Sequence, residues 1–214
     1  MISLFLDTSS NYLTLGLIKD NQVLKTIYEL LANNLSKITL SRIDELLKEY
    51  NYQASDIDEI VCVSGPGSFT GLRIGITIAK TYAYGLNKKL YSVSKLYAMA
   101  CSIKDKAYKV PIIDARHGHV YGAVYDANNN LILEEQYMAK EALLKFVEEL
   151  ASPNYAYISE EALDFPNLVS YQPDLEEIFK ERNFKEEDYM QMVPNYLKDP
   201  EAFENLQKKL ENKE

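Results

Sequence analysis

The sequence predicts a two-domain α/β protein built by duplication, and three observations carry that prediction. A short apolar run that ends in aspartate and leads into a β-meander occurs twice, as Ile2 to Leu6 before Asp7 and as Val110 to Ile113 before Asp114. Each copy is followed by alternating helical and strand patterns. The polar stretch Lys104-Asp105-Lys106-Ala107-Tyr108-Lys109 lies between them and reads as a linker. At 214 residues the chain is long enough for one large domain or two small ones, since domains of ~100–150 residues are the commonest.

In the first half, Ile2–Leu6, then Leu13–Ile18 up to the turn signal Lys19-Asp20-Asn21, then Gln22–Leu30 read as an antiparallel meander. Ser36–Tyr50 places Ile38, Leu40, Ile43, Leu46, Leu47 and Tyr50 at helical spacing, with Ser36 as the expected N-cap. Ile57–Ser64 reads as a buried strand, Ser68–Gly85 as a helix, Leu90–Val93 as a strand and Ser94–Ile103 as a helix. In the second half Val120–Tyr125 and Leu131–Met138 repeat the meander. Laid over the first half without a gap, Asp114 falls on Asp7, Val120 on Leu13, Val124 on Leu17 and Asp126 on Lys19. The repeat is too long for a solenoid period, so an old duplication accounts for it better. A helix at Lys140–Leu150, a strand at Tyr155–Ser159, an irregular stretch around Phe165-Pro166, a strand at Leu168–Tyr171, a helix at Asp174–Arg182 and a loop with Pro194 follow. Pro200–Asn212 reads as a terminal helix, with Pro200 suited to its first turn. The expected organisation is a first domain over 1–103, a smaller second domain over 104–198, and a C-terminal helix over 199–214 packing back on the first.

Charge and composition narrow the function classes. A net charge of −9 argues against a general nucleic-acid surface, because phosphate is held mainly by clustered Lys and Arg. Cys62 falls in a buried strand and Cys101 near a helix end, without a second thiol at metal-ligand spacing, so both read as core residues of a reducing compartment. The start MISLFLDTSS has no basic segment and breaks at Asp7, which reads as a strand rather than a signal peptide. No apolar run approaches the ~20 residues that span a bilayer. A soluble, cytoplasmic protein without a membrane partner is expected.

The segment Gly65-Pro66-Gly67-Ser68-Phe69-Thr70-Gly71-Leu72-Arg73-Ile74-Gly75 follows the strand Ile60–Val63 and opens a helix. Gly65, Pro66 and Gly67 make a tight turn and Ser68 is placed to cap the helix. Free amides at a helix N-terminus attract anions, yet the segment is neither a P-loop, since Gly71-Leu72-Arg73 stands where that motif continues with glycine, lysine and a hydroxyl residue, nor a full dinucleotide fingerprint. Further along, Gly71, Gly75, Ala79 and Ala83 form a bare strip at four-residue spacing, suited to close approach of another helix. That helix is either the chain's own Ser36–Tyr50 or a partner's. The neighbouring face carries Arg73, Thr77, Lys80 and Tyr84 for directional contacts, while Phe69, Leu72 and Ile76 can pack on the sheet.

Two aspartate-ended strands, each running into a meander, resemble the actin, sugar kinase and Hsp70 (ASKHA) architecture. In that fold the strand-end carboxylate lies at the interdomain cleft, where a nucleotide phosphate and its Mg²⁺ can sit. The resemblance makes Asp7, Thr8, Ser9 and Asp114 candidate nucleotide or phosphate residues; carboxylates at strand ends equally cap turns. The segment from Gly65 to Gly75 further resembles the signature of the TsaB (YeaZ) family, the dimerisation subunit of bacterial N6-threonylcarbamoyladenosine (t6A) synthesis on tRNA. The match extends to Asp7-Thr8-Ser9, to Asp114-Ala115-Arg116 with Val120-Tyr121, and to Pro194-Asn195-Tyr196-Leu197.

This resemblance implies a pseudo-enzyme without catalytic residues that pairs with a TsaD-like catalytic subunit through the helices at Ser36–Tyr50 and Ser68–Gly85. The expected interface is Ile38, Arg42, Leu46, Gly71, Arg73, Gly75, Thr77, Ala79, Lys80 and Ala83. The TsaD-like subunit would modify adenosine 37 of tRNAs reading ANN codons and make most of the tRNA contact. A TsaE-like ATPase would join the pair, and the chain alone would form a homodimer. No cofactor is required; ATP or ADP could sit at the junction of the complex. TsaD-like proteins carry a metal-binding histidine pair on the helix that corresponds to Ser36–Tyr50, and this sequence has no histidine there. Its two histidines, His117 and His119, are either ligands of a metal or exposed turn residues. Arg73 and Arg116 could bind anions or make salt bridges. The competing readings are a nucleotide-using ATPase or kinase of the same fold, and a glycopeptidase-like metalloprotease, for which neither a nucleophile nor a ligand set is evident.

Overall fold

The computed structural model describes residues 1–31 and 34–198. The terminal helix expected over 199–214 lies outside the described residues. The first half contributes strands β1 (Ile2–Asp7), β2 (Tyr12–Lys19), β3 (Gln22–Leu30), β4 (Glu59–Gly65) and β5 (Lys89–Ser94), with helices α1 (Leu35–Glu49), α2 (Phe69–Leu86) and α3 (Lys95–Ala100). The second contributes β6 (Tyr108–Asp114), β7 (His119–Asp126), β8 (Leu131–Ala139), α4 (Lys140–Glu148), β9 (Tyr155–Ser159), β10 (Leu168–Ser170), α5 (Leu175–Glu181) and β11 (Lys185–Glu187).

The two sheets run β11-β5-β4-β1-β2-β3 and β10-β9-β6-β7-β8. Without β11 the orders are the same, and so are the senses: an antiparallel meander flanked by parallel strands. The strand ends also correspond, Asp7 to Asp114, Tyr12 to His119 and Lys19 to Asp126, so the ungapped overlay of the sequence is the structural one. The architecture is the duplicated α/β fold of the actin, sugar kinase and Hsp70 class.

Because successive strand residues face opposite sides, β1 sends Leu4 and Leu6 to one face and Phe5 to the other. Leu4, Leu6, Leu15 and Leu17 pack with Ile43, Leu46 and Leu47 of α1 and Ile76 of α2. Phe5, Val61 and Val63 pack with α3 and with Leu175, Ile178 and Phe179 of α5. On the second sheet, Leu143 and Val147 of α4 cover Val110, Ile112 and Val124. All six residues of α3 are buried, because this helix lies between the sheets and touches Ala123, Tyr125 and Ile158 of the second as well as the first. One apolar core therefore runs through both halves.

Two expectations change. Ser36 sits inside α1 and Asn34 takes the cap position without a side-chain bond, because Leu35 packs onto the α1 cluster and draws the helix back. The charged linker is pinned: Tyr108 and Lys109 open β6, Lys109 is buried with Nζ on Asn129 Oδ1 at 2.7 Å, and Lys104 pairs with Asp174 at 3.0 Å. Part of the stretch 104–198 lies on the first sheet. α5 returns to the first sheet, where the missing side chain of Gly16 makes room for Leu175, and β11 pairs antiparallel with β5.

That return is clamped at Glu59. Its buried carboxylate accepts from Ser3 Oγ at 2.6 Å and from Arg182 Nη2 at 2.9 Å. Removing one partner of a buried pair leaves an uncompensated charge, so Arg182→Ala is expected to lower stability by about 3 kcal/mol, read as the urea midpoint.

Candidate functional site

β1 and β6 end on the same cleft, a cavity of about 490 Å³ lined among others by Ser9, Asn11, Ser68, Lys95, Asp114 and Arg116. On its first wall Asp7 Oδ1 accepts from the Ser9 amide at 2.8 Å. Asp7 Oδ2 accepts from Lys95 Nζ at 2.8 Å, and the same ammonium donates to Glu160 Oε1 at 2.6 Å. Asp7 and Lys95 are each 2% exposed and Glu160 11%. Lys95 also lies 4.5 Å from the centre of the Tyr171 ring. Burial alone would lower the Lys95 pKa; the charges of Asp7 and Glu160 overcome it and hold the ammonium raised. Lys95 and Glu160 are the site residues that sequence reasoning missed.

Thr8 Oγ1 donates to the Gly71 carbonyl at 2.7 Å, and the Ser9 hydroxyl is buried without a hydrogen-bond partner among the described residues. The structure thus brings Asp7, Thr8 and Ser9 together. Asp114, on the opposite wall, is exposed and accepts from the Arg116 amide at 2.9 Å. It caps a turn in which Arg116, His117 and Gly118 have φ of 65°, 51° and 75°. The duplicated aspartates have diverged: one is a buried ion-pair partner, the other a turn cap.

The glycine corner is occupied by the chain itself. The Ser68 amide donates to Ser9 O at 2.6 Å and the Asn195 amide to Ser64 O at 2.7 Å. Gly65, at φ 133°, adopts a conformation that favours glycine, and a Cβ there would approach Asn195 O at 2.5 Å. A Cβ on Gly67 would run into Ser9 O. Ser68 Oγ accepts from the Gly71 amide at 3.3 Å, making the expected cap.

The bare strip is internal. A Cβ on Gly71 would run into the Thr8 carbonyl and one on Gly75 into Thr8 Oγ1. Ala79 and Ala83 share a buried cluster with Leu46 of α1. Gly71, Gly75, Ala79, Ala83 and Leu46 are therefore buried against the chain's own elements. The alternative that α2 accepts the chain's own elements is the one observed. Ile38 and Arg42 are half-buried, and Arg42 pairs with Glu45 and Glu29 at 2.7 and 3.2 Å.

What α2 leaves open is its neighbouring face. Arg73 and Thr77 are exposed and Lys80 is half-buried. Thr77, Lys80, Thr81 and Tyr84 form with Tyr189 and Met190 a groove of about 610 Å³. Tyr84 is 70% and Met190 73% exposed. Lys80 Nζ holds the groove's other wall through Met192 O at 3.1 Å. Arg73 makes no salt bridge among the described residues; its guanidinium stacks 3.8 Å from the Phe69 ring centre and donates to the Tyr196 hydroxyl at 3.1 Å.

His119 stacks on Tyr137 and its Nδ1 meets the His117 carbonyl oxygen at 3.0 Å. No group of three or more His, Cys, Asp or Glu among the described residues is arranged to hold a metal ion. Both cysteines are buried, and burial pushes the Cys101 thiol up to about 12. No helix among the described residues is long and apolar enough to cross a membrane.

Fold and cleft define a two-domain protein of the actin, sugar kinase and Hsp70 class in which an internal lysine meets the cleft carboxylate. A family model described as TsaD, tRNA N6-adenosine threonylcarbamoyltransferase, matches residues 27–206. The tRNA threonylcarbamoyladenosine biosynthesis protein TsaB of Bacillus subtilis is 35% identical over 133 residues, 62% of this chain and 58% of that protein. Its Escherichia coli counterpart is 34% identical over 145 residues, 66% of this chain and 62% of that protein. The matched part of this chain thus spans less than two thirds of either relative. Among solved structures, a Pseudomonas aeruginosa protein described as similar to the peptidase YeaZ superposes with a TM-score of 0.74 at 23% identity, covering 92% of this chain and 99% of its own. YeaZ from the same organism gives 0.69 at 22%, covering 91% and 100%. The chain belongs to the family of that TsaD model, which spans most of it, and is similar to TsaB (YeaZ) proteins.

Proposed function

We propose that the chain is a non-catalytic subunit of the machinery that makes N6-threonylcarbamoyladenosine in tRNA, pairing with a TsaD-like transferase through the exposed faces of α1 and α2. The observation that carries this reading is the groove along α2, where Thr77, Thr81, Tyr84 and Met190 present mixed apolar and hydroxyl surface to solvent. Exposed apolar surface of this kind marks an interaction site, and the likeness to TsaB proteins supports a TsaD-like partner. Lys80 lines the groove and Arg73 stands one turn before Thr77 on the same helix, with Ile38 and Arg42 on α1.

The non-catalytic reading is supported by the state of the cleft, where Asp7 is bound by Lys95 and Asp114 caps a turn. With a net charge of −9, the tRNA backbone is held by the transferase. A TsaE-like ATPase joins the pair, ATP or ADP lies at the junction between subunits, and the same α2 face forms a homodimer when the chain is alone. The complex works in the cytoplasm.

Size-exclusion chromatography with light scattering, on the chain mixed with its host's TsaD-like subunit, tests the reading. A one-to-one complex is expected. Tyr84→Ala should weaken it by about 2 kcal/mol, roughly thirtyfold, as truncating an aromatic anchor does. Thr77→Arg should abolish it with a native circular dichroism spectrum. A complex indifferent to both changes would place the interface elsewhere.

A further inference from the structure

We propose that Lys95 is a built-in counter-cation: it takes the place at Asp7 that a divalent cation would take in this fold class, and by reaching Glu160 it fastens the two halves of the cleft together. The inference rests on the non-catalytic reading and gives that reading a physical cause.

The geometry carries it. A carboxylate that ligates Mg²⁺ must offer oxygen lone pairs to the metal at close range. Both Asp7 oxygens are engaged, Oδ1 by the Ser9 amide and Oδ2 by Lys95. The ammonium in turn bonds Glu160, which follows β9 of the second sheet, and rests on Tyr171. A metal ion at Asp7 would have to displace a fixed positive charge that is already paired twice. A phosphate beside it would find Glu160 and Glu161 on the cleft wall as well. The residues present therefore do not fit a metal-bound phosphate at Asp7.

The same bonds have a mechanical consequence. α3 begins at the end of β5 in the first sheet, and its first residue reaches both the end of β1 and the segment after β9. A hinge between the halves would have to break a buried ion pair whose members are almost without water. The cleft is thus held in one closure, suited to presenting a fixed surface on α2 to a partner and unsuited to opening and closing on a substrate.

Mn²⁺ binding followed by electron paramagnetic resonance, with and without ATP, tests this on the full-length chain. Wild type is expected to show no saturable Mn²⁺ site, either alone or with ATP. Lys95→Ala should bind one Mn²⁺ at least about tenfold more tightly than wild type, and adding Asp7→Asn should remove the gain. Where the alanine variant is too unstable to study, Lys95→Met with Glu160→Gln leaves Asp7 as the one stranded carboxylate of the ion-pair cluster and carries the same readout. Hydrogen exchange at the β5–α3 junction and at residues 159–161 should quicken in the Lys95 variants. A wild-type Mn²⁺–ATP site that Asp7→Asn abolishes would overturn the proposal, and so would a folded Lys95 variant that gains no Mn²⁺ and no exchange. Pairing with the TsaD-like subunit is measured separately, so failure of the counter-cation and failure of the scaffold reading are distinguishable.

Discussion

Lys95→Met should destabilise the protein by about 3–5 kcal/mol, because removing one member of a buried ion pair strands the other without compensation. Here two carboxylates are stranded at once, Asp7 and Glu160, bonded by the same ammonium at 2.8 and 2.6 Å. The distinctive result lies in the second variant. Asp7→Asn combined with Lys95→Met removes one charge of each sign, and it should recover part of the loss, since replacing a buried pair by groups of similar volume is often close to neutral. Urea unfolding of the wild type, both single variants and the double variant forms a cycle, and a coupling near zero would show that the ion pair contributes only its volume.

Gly71→Ala should lower stability by about 1–3 kcal/mol, the usual range for overpacking a filled core. The added methyl would run into the Thr8 carbonyl, which is backbone and anchored by β1, so the start of α2 must move instead. Gly85→Ala is the control on the same helix. Nothing lies within 4 Å of a Cβ there, and exchanging glycine for alanine in a helix gains roughly 0.5–1 kcal/mol. The two substitutions are identical in chemistry and should have opposite signs in a thermal or urea unfolding series. Equal effects would mean that the glycine strip serves only the backbone.

Much of this fold can be read from local pattern. Alternating apolar residues stopped by Asp7 and Asp114 gave both meanders, and their ungapped overlay proved to be the structural correspondence. β11 left no trace, because Lys185-Glu186-Glu187 has neither β-branched nor aromatic residues; the exposed edge of β5 makes it a strand. The helix strip was legible as a place of close approach, but spacing alone cannot say who approaches. Thr8 and α1 do so from within the chain, leaving the less conspicuous Thr77 and Tyr84 outside. Lys95 did carry a signal, as a lone charge before the apolar run Leu96-Tyr97-Ala98-Met99-Ala100. Its partner Glu160 carried none, since Glu160-Glu161 reads as ordinary acidic surface.

The most direct test of the scaffold reading is a reconstituted modification reaction, with N6-threonylcarbamoyladenosine in an ANN-reading tRNA measured by mass spectrometry. The TsaD-like subunit, the TsaE-like ATPase and a supply of threonylcarbamoyl adenylate are held constant while this chain is varied. The scaffold account expects product with wild type and with Asp114→Asn, and background levels with Thr77→Arg or without the chain. Loss of product with Asp114→Asn, in a complex that still assembles, would contradict it and return the cleft to the chemistry.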